Sequence, residues 1–106
     1  MAETYKKLAQ ALIDSTVGIL YTVPALTQTI VKHIVITNNT TSAVTDIFLY
    51  HDGTSDTECL LPGVTLGAGE WCEFDGVITM EASDTLQAKA GTDTVLGMTV
   101  HGMEIS

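Results

Sequence analysis

Cations are scarce in this chain. Lys6, Lys7, Lys32 and Lys89 stand against thirteen carboxylates, for a formal net charge of −9 over 106 residues. That balance excludes the basic footprint a nucleic-acid partner requires and gives no attraction to an anionic membrane surface. Charge of either sign is thin, at 16 % of residues against the usual ~25 %, and Thr, Ser, Ala and Gly fill its place. The two cysteines, Cys59 and Cys72, are too few for a disulfide framework and read as buried thiols. No apolar run reaches the length of a membrane-spanning helix. The stretch from Met1 to Ser15 lacks the apolar core of a signal peptide, and no solenoid repeat or low-complexity tail is present.

What is there is a set of short apolar runs separated by turn residues, with Thr and Val abundant throughout. That pattern favours pleated strands over helices. Strands are expected at Lys6–Asp14, Ile19–Val23, Thr29–Asn38, Ala43–His51, Cys59–Leu66, Glu70–Thr79, Asp84–Ala90 and Thr94–Met103. Turn chemistry lies between them, for example Val23-Pro24-Ala25, Asn38-Asn39-Thr40-Thr41, Gly67-Ala68-Gly69 and Ala82-Ser83-Asp84. The expected fold is all-β: one domain over residues 1–106, a single antiparallel β-sandwich of jelly-roll-like form with about eight short strands. An immunoglobulin-like sandwich accommodates the same segments, and strand order is not legible. Residues 5–13 are ambiguous, since Leu8 and Leu12 share a helix face whereas Ala9, Ala11 and Ile13 share a strand face. They read as a strand, or as part of an extended N-terminal arm over residues 1–12.

Two strands look apolar on both faces. In Ile30–Ile36 the even positions give Ile30, Ile34 and Ile36, and the odd ones Val31 and Val35. In Val44–His51 one face carries Val44, Phe48 and Tyr50, interrupted by Asp46, and the other Ile47 and Leu49. A sandwich strand normally buries one face, so this pattern points to a second partner, most simply another subunit. Trp71, the only tryptophan, falls by alternation with Glu73 and Asp75, opposite Cys72 and Phe74. A tryptophan on a polar strand face is typical of an interface anchor. Candidate contact residues are Lys6, Lys7, Leu8, Leu26, Phe48, Tyr50 and Trp71.

Nothing organises a reaction. His33, His51 and His101 sit in three different strands without metal-ligand spacing. There is no G-x-S-x-G elbow and no glycine-rich phosphate loop. The acidic stretch Asp52-Gly53-Thr54-Ser55-Asp56-Thr57-Glu58 lacks the ligand order of a calcium loop and reads as a hairpin connection. No catalytic residue, cofactor or metal ligand is expected, and the chain is not expected to be an enzyme.

Several segments resemble a known family. Lys6-Lys7-Leu8-Ala9-Gln10-Ala11 and Leu20-Tyr21-Thr22-Val23-Pro24-Ala25 carry the likeness, followed by Ile30–Asn38 and Val44–Tyr50. Further on come Leu66-Gly67-Ala68-Gly69-Glu70, Phe74-Asp75-Gly76 and Asp84-Thr85-Leu86-Gln87-Ala88-Lys89-Ala90. Together they resemble the small virion structural proteins of tailed bacteriophages over nearly the whole chain. The resemblance implies a compact β-sandwich carried on a phage particle, with no catalytic residues. The leading expectation is a capsid decoration or cement protein that stabilises the head by bridging capsid subunits. A tail, collar or fibre component is the alternative, and a carbohydrate-binding attachment module with Trp71, Tyr50 and Tyr21 on one groove is another from a different class. Expected partners are the phage major capsid protein or other virion proteins, with self-association into a trimer or dimer, in a virion assembled in the host bacterial cytoplasm. The chain departs from the family pattern at Trp71, where a small polar residue is usual, and at Ala25-Leu26-Thr27, where a glycine usually follows Pro-Ala.

Overall fold

The computed structural model describes residues 3–53, 59–92 and 95–106. Eight strands follow in order: β1 (Glu3–Ile13), β2 (Gly18–Thr22), β3 (Gln28–Asn38), β4 (Val44–His51), β5 (Cys59–Leu66), β6 (Trp71–Met80), β7 (Thr85–Lys89) and β8 (Leu96–Ile105). No helix occurs among the described residues. Every expected strand is present, with ends displaced by three residues or fewer. The last begins at Leu96, and the expected start at Thr94 lies outside the described residues.

The strands form two four-stranded antiparallel sheets, sheet A in the order β1-β8-β3-β6 and sheet B in the order β2-β7-β4-β5. First pairs with last, second with seventh, third with sixth and fourth with fifth. One long antiparallel ribbon is thus rolled into a sandwich, which is the jelly-roll arrangement rather than the immunoglobulin one. The core lies between the sheets and is aliphatic: Ile13, Val31, Ile34, Ile36, Ile47, Leu49, Met80, Leu86, Leu96, Met98 and Val100 are all buried.

The two-faced appearance of β3 and β4 has a local cause. The register of β3 slips between Val31 and His33 against both neighbours. Thr29 and Val31 face inward before the slip, and Ile34, Ile36 and Asn38 after it. In β4 the register slips between Val44 and Ile47, with Asp46 at φ 56°, so that Val44, Ile47 and Leu49 all point into the core. A bulge shifts the alternation by one residue. The buried residues of β3 therefore lie on one face, and in β4 only Tyr50 is buried on the other, within the chain itself, so the mixed pattern by itself requires no partner. Ile30, Val35, Phe48 and Tyr50 remain on the outer faces.

Residues 3–13 are not a free arm. They form β1, an edge strand paired with β8 from Glu3↔Ile105 to Ile13↔Leu96. Leu8 faces the core by plain alternation with Lys6, and the slip between Lys7 and Ala9 carries Ala9 inward as well. Leu8 closes over Gly102 of β8, where an added Cβ would fall on the Ile30 carbonyl oxygen and within 3.0 Å of Leu8 Cδ1. At the opposite end of the sandwich Asn38, fully buried, ties two turns together. Its Nδ2 donates to the carbonyls of Ser42, Leu66 and Gly67 at 2.9–3.1 Å, and its Oδ1 accepts from the Thr40 amide and hydroxyl.

Because the obstruction at Gly102 is backbone, no rotamer change relieves it. Gly102→Ala is expected to destabilise the domain by roughly 3 kcal/mol or more, read as a lowered midpoint in urea unfolding. Ala is expected to be tolerated at Gly97, on the outer face of the same strand, where a Cβ meets nothing within 4 Å.

Candidate interaction surface

The outer face of sheet A can be laid out in rows from its pairings. Tyr5, Met103, Ile30 and Thr79 share one level, and Lys7, His101, His33 and Asp75 the next. Gln10, Thr99, Val35 and Glu73 follow, then Leu12, Gly97, Thr37 and Trp71. Trp71 is 62 % exposed, as its alternation with Glu73 and Asp75 predicts. Its indole Nε1 donates to Glu73 Oε1 at 3.2 Å, and Glu73 Oε2 meets His33 Nε2 at 2.9 Å. The bonds from His33 and then Trp71 hold the Glu73 carboxyl below its ordinary range. Cys72 and Phe74 lie on the inner side of the same strand, half-buried against the core. Both cysteines are free thiols, and burial raises the Cys72 pKa.

The seven candidate residues do not gather into one site. Lys7 and Trp71 lie on the same outer face but on opposite edge strands of sheet A. Lys7 is exposed and its Nζ donates to Gln10 Oε1 at 2.9 Å. Lys6 points to the inner side, where its Nζ pairs with Glu104 Oε1 at 2.8 Å. Leu8 is half-buried in the core margin. Phe48 and Tyr50 sit on the outer face of sheet B, stacked with ring centroids 5.9 Å apart, and Lys89 Nζ lies 4.9 Å from the Phe48 centroid. Tyr50 and Tyr21 are buried, at 8 % and 9 % exposure. They therefore make no open aromatic groove with Trp71. Of the acidic stretch 52–58, residues 54–58 lie outside the described residues.

Leu26 is the extreme case. It stands at the tip of the β2–β3 turn, 93 % exposed and at φ 58°. A leucine in this left-handed region costs roughly 1 kcal/mol over glycine, and here it also leaves its whole side chain in water. An open hollow of about 310 Å³ lies beside it, lined by Thr27, Gln28, Glu81, Ala82, Ile105 and Ser106.

Sequence patterns did not point to the other exposed apolar side chains, Tyr5, Leu12, Val17, Ile19 and Val77. Nor did they point to a polar chain that joins the two sheets. Tyr21 of β2 donates its hydroxyl to Glu104 Oε2 of β8 at 2.6 Å, and Thr29 of β3 lies 2.8 Å from the same oxygen of Tyr21. Burial first, and then the bond to the Glu104 carboxylate, push the Tyr21 pKa up to about 12. Lys6, then Tyr21, hold Glu104 below the ordinary carboxylate range. Among the described residues no group of three metal-ligating side chains comes together.

No protein-family model matches the chain, and no curated protein matches it.

Two outcomes are expected from this geometry. A phenol whose folded pKa lies above its unfolded value stabilises the fold below the unfolded pKa, and that contribution is lost as pH rises through the folded one. Ultraviolet titration should find one tyrosine ionising near pH 12 rather than 10, absent in Tyr21→Phe, with stability falling across that window. The depressed Glu104 carboxyl acts in the opposite sense, its contribution disappearing as pH falls through its folded pKa. Leu26→Gly should raise unfolding stability by roughly 0.5–1 kcal/mol, the relief of left-handed strain exceeding the added freedom of the unfolded chain.

Proposed function

We propose that this chain is a structural subunit of a virion, most directly a decoration protein that bridges capsid subunits. The supporting observation is where its exposed apolar side chains lie. Leu26 projects from one loop tip, Ile19 from the outer face of β2, Tyr5 and Leu12 from β1, and Trp71 and Val77 from β6. A module for one small ligand would gather such side chains around one cleft. Here they face in several directions, as a subunit with several neighbours in a shell requires. Many such weak contacts act together in an assembly of repeated copies. The jelly roll is also an architecture of viral capsid domains, which supports the reading by analogy of fold alone. The phage-like segments Tyr21-Thr22-Val23-Pro24-Ala25 and Asp84-Thr85-Leu86-Gln87-Ala88 point the same way.

Leu26 fits this role because, among the described residues, it alone joins a left-handed backbone to a large exposed apolar side chain. Seating it in a neighbour's pocket recovers roughly 1.5–3 kcal/mol, about ten- to hundredfold in affinity. Mass spectrometry of purified phage particles is expected to find the chain in many copies, and imaging to place it on the head. Leu26→Asp should cut its occupancy at least tenfold while the free protein stays folded. Absence from purified particles would overturn the reading. A position on the tail, collar or fibre would keep the subunit role and remove the decoration role.

A further inference from the structure

The two sheets treat their edges differently. In sheet B, edge strand β2 has only five residues. The other edge, β5, carries Pro62, Gly63 at φ 75°, and three register slips against β4. Short strands, proline and bulges are the means by which proteins close an edge to further pairing. The edges of sheet A lack the first two of these: β1 and β6 run for eleven and ten residues without proline, each with a single register slip against its neighbour. These two edges also carry four of the large exposed apolar side chains, Tyr5 at 62 % and Leu12 at 55 % on β1, Trp71 at 62 % and Val77 at 61 % on β6.

Their charges are opposite. Edge β1 presents Lys7 on its outer face, and edge β6 presents Glu73 and Asp75. Asp75 makes no ion pair among the described residues. The strand directions also suit each other. Each neighbour in the order β1-β8-β3-β6 is antiparallel to the last, so a second copy's β1 laid beside β6 continues the alternation. The levels match along part of the edge. Leu12 stands at the level of Trp71, Gln10 at that of Glu73 and, across the slip that β1 already carries after Lys7, Lys7 at that of Asp75. Beyond Lys7 the edges fall out of step, the two residues to Tyr5 facing four to Thr79.

We propose that copies of this chain associate head to tail, β1 of one along β6 of the next, extending sheet A across the contact. Lys7 then faces Asp75 of the neighbouring copy, and Leu12 covers Trp71. Cross-strand pairs of opposite charge and aromatic–aliphatic pairs are the units that stabilise such a ladder, and added backbone hydrogen bonds supply affinity. Two-fold pairing of β6 with β6 is disfavoured, since it brings Glu73 and Asp75 of both copies together. A heterologous contact of this kind forms a ring where its rotation closes and a filament where it does not. The contact does not depend on the virion reading, because self-association in solution and presence in a particle are measured separately.

The test is sedimentation of the full chain over a concentration series, with emission of Trp71 recorded alongside. Expected are species of three or more copies, with a blue shift and reduced acrylamide quenching of Trp71 as they form. Lys7→Glu and Asp75→Lys should each weaken association roughly tenfold. Both substitutions in one chain should restore it, because they meet across the contact with signs exchanged. A persistent monomer, a two-fold dimer, unchanged Trp71 emission on association, or a double variant as weak as the singles would each overturn the proposal.

Discussion

The shape of sheet A depends on how closely β1 and β3 approach β8 at Gly102. Strand β8 runs without a bulge, while β1 and β3 each slip by one residue close to it. Those slips keep the inner face apolar through strands whose sequence changes phase, and bulges of this kind bend and twist the strands that carry them. Gly102 is the point where the strain of that arrangement would be felt, because Leu8, the Ile30 carbonyl and the Val31 backbone all occupy the place of a side chain. Two residues further along, β8 brings Glu104 beside Tyr21 of the opposite sheet. The bond between the sheets is thus set by the same register that packs the core.

The outside of the molecule follows from that inside. Once the bulges of β3 and β4 have turned their aliphatic residues inward, the apolar surface left over is not spread across the sheets. It is concentrated on edge strands, at Val17 in the β1–β2 connection and at the Leu26 tip, with Phe48 half-covered and Tyr50 buried beside it on sheet B. Sheet B ends in strands that discourage pairing, and sheet A ends in strands that permit it. With a net charge of −9, copies of the chain repel one another at a distance, so a self-contact must be local and well matched. Lys7 is one of only four cations and lies on the edge complementary to Asp75. Assembly by edges, rather than by a broad greasy face, is consistent with a subunit that stays dispersed until a neighbour is in register.

Much of the fold was readable from local chemistry. Seven of the eight strands follow from short apolar runs and turn residues, β1 stays open between a strand and an extended arm, and the opposite orientations of Trp71 and Cys72 follow from alternation alone. The bulges were not readable. A one-residue slip at Lys32 or at Thr45–Asp46 produces the same sequence pattern as a strand apolar on both faces, and only the pairing distinguishes them. Strand order escaped for a related reason, and with it the identity of the edges. Tyr5 and Leu12 gain their significance only because β1 ends the sheet. The bond from Tyr21 to Glu104 spans 83 positions, beyond the reach of any local pattern. The candidate residues were accordingly mixed: Lys7, Leu26 and Trp71 stand exposed, while Leu8 and Tyr50 serve the domain's own packing.

Assembly through the open edges of sheet A is the central claim, and amide hydrogen exchange addresses it strand by strand. Exchange is compared between dilute and concentrated protein. The outward amides of β1 and β6 are expected to slow together on concentration, while those of edges β2 and β5 keep their dilute rates. Rates unchanged at β1 and β6, or protection appearing at β2 and β5 instead, would contradict the account.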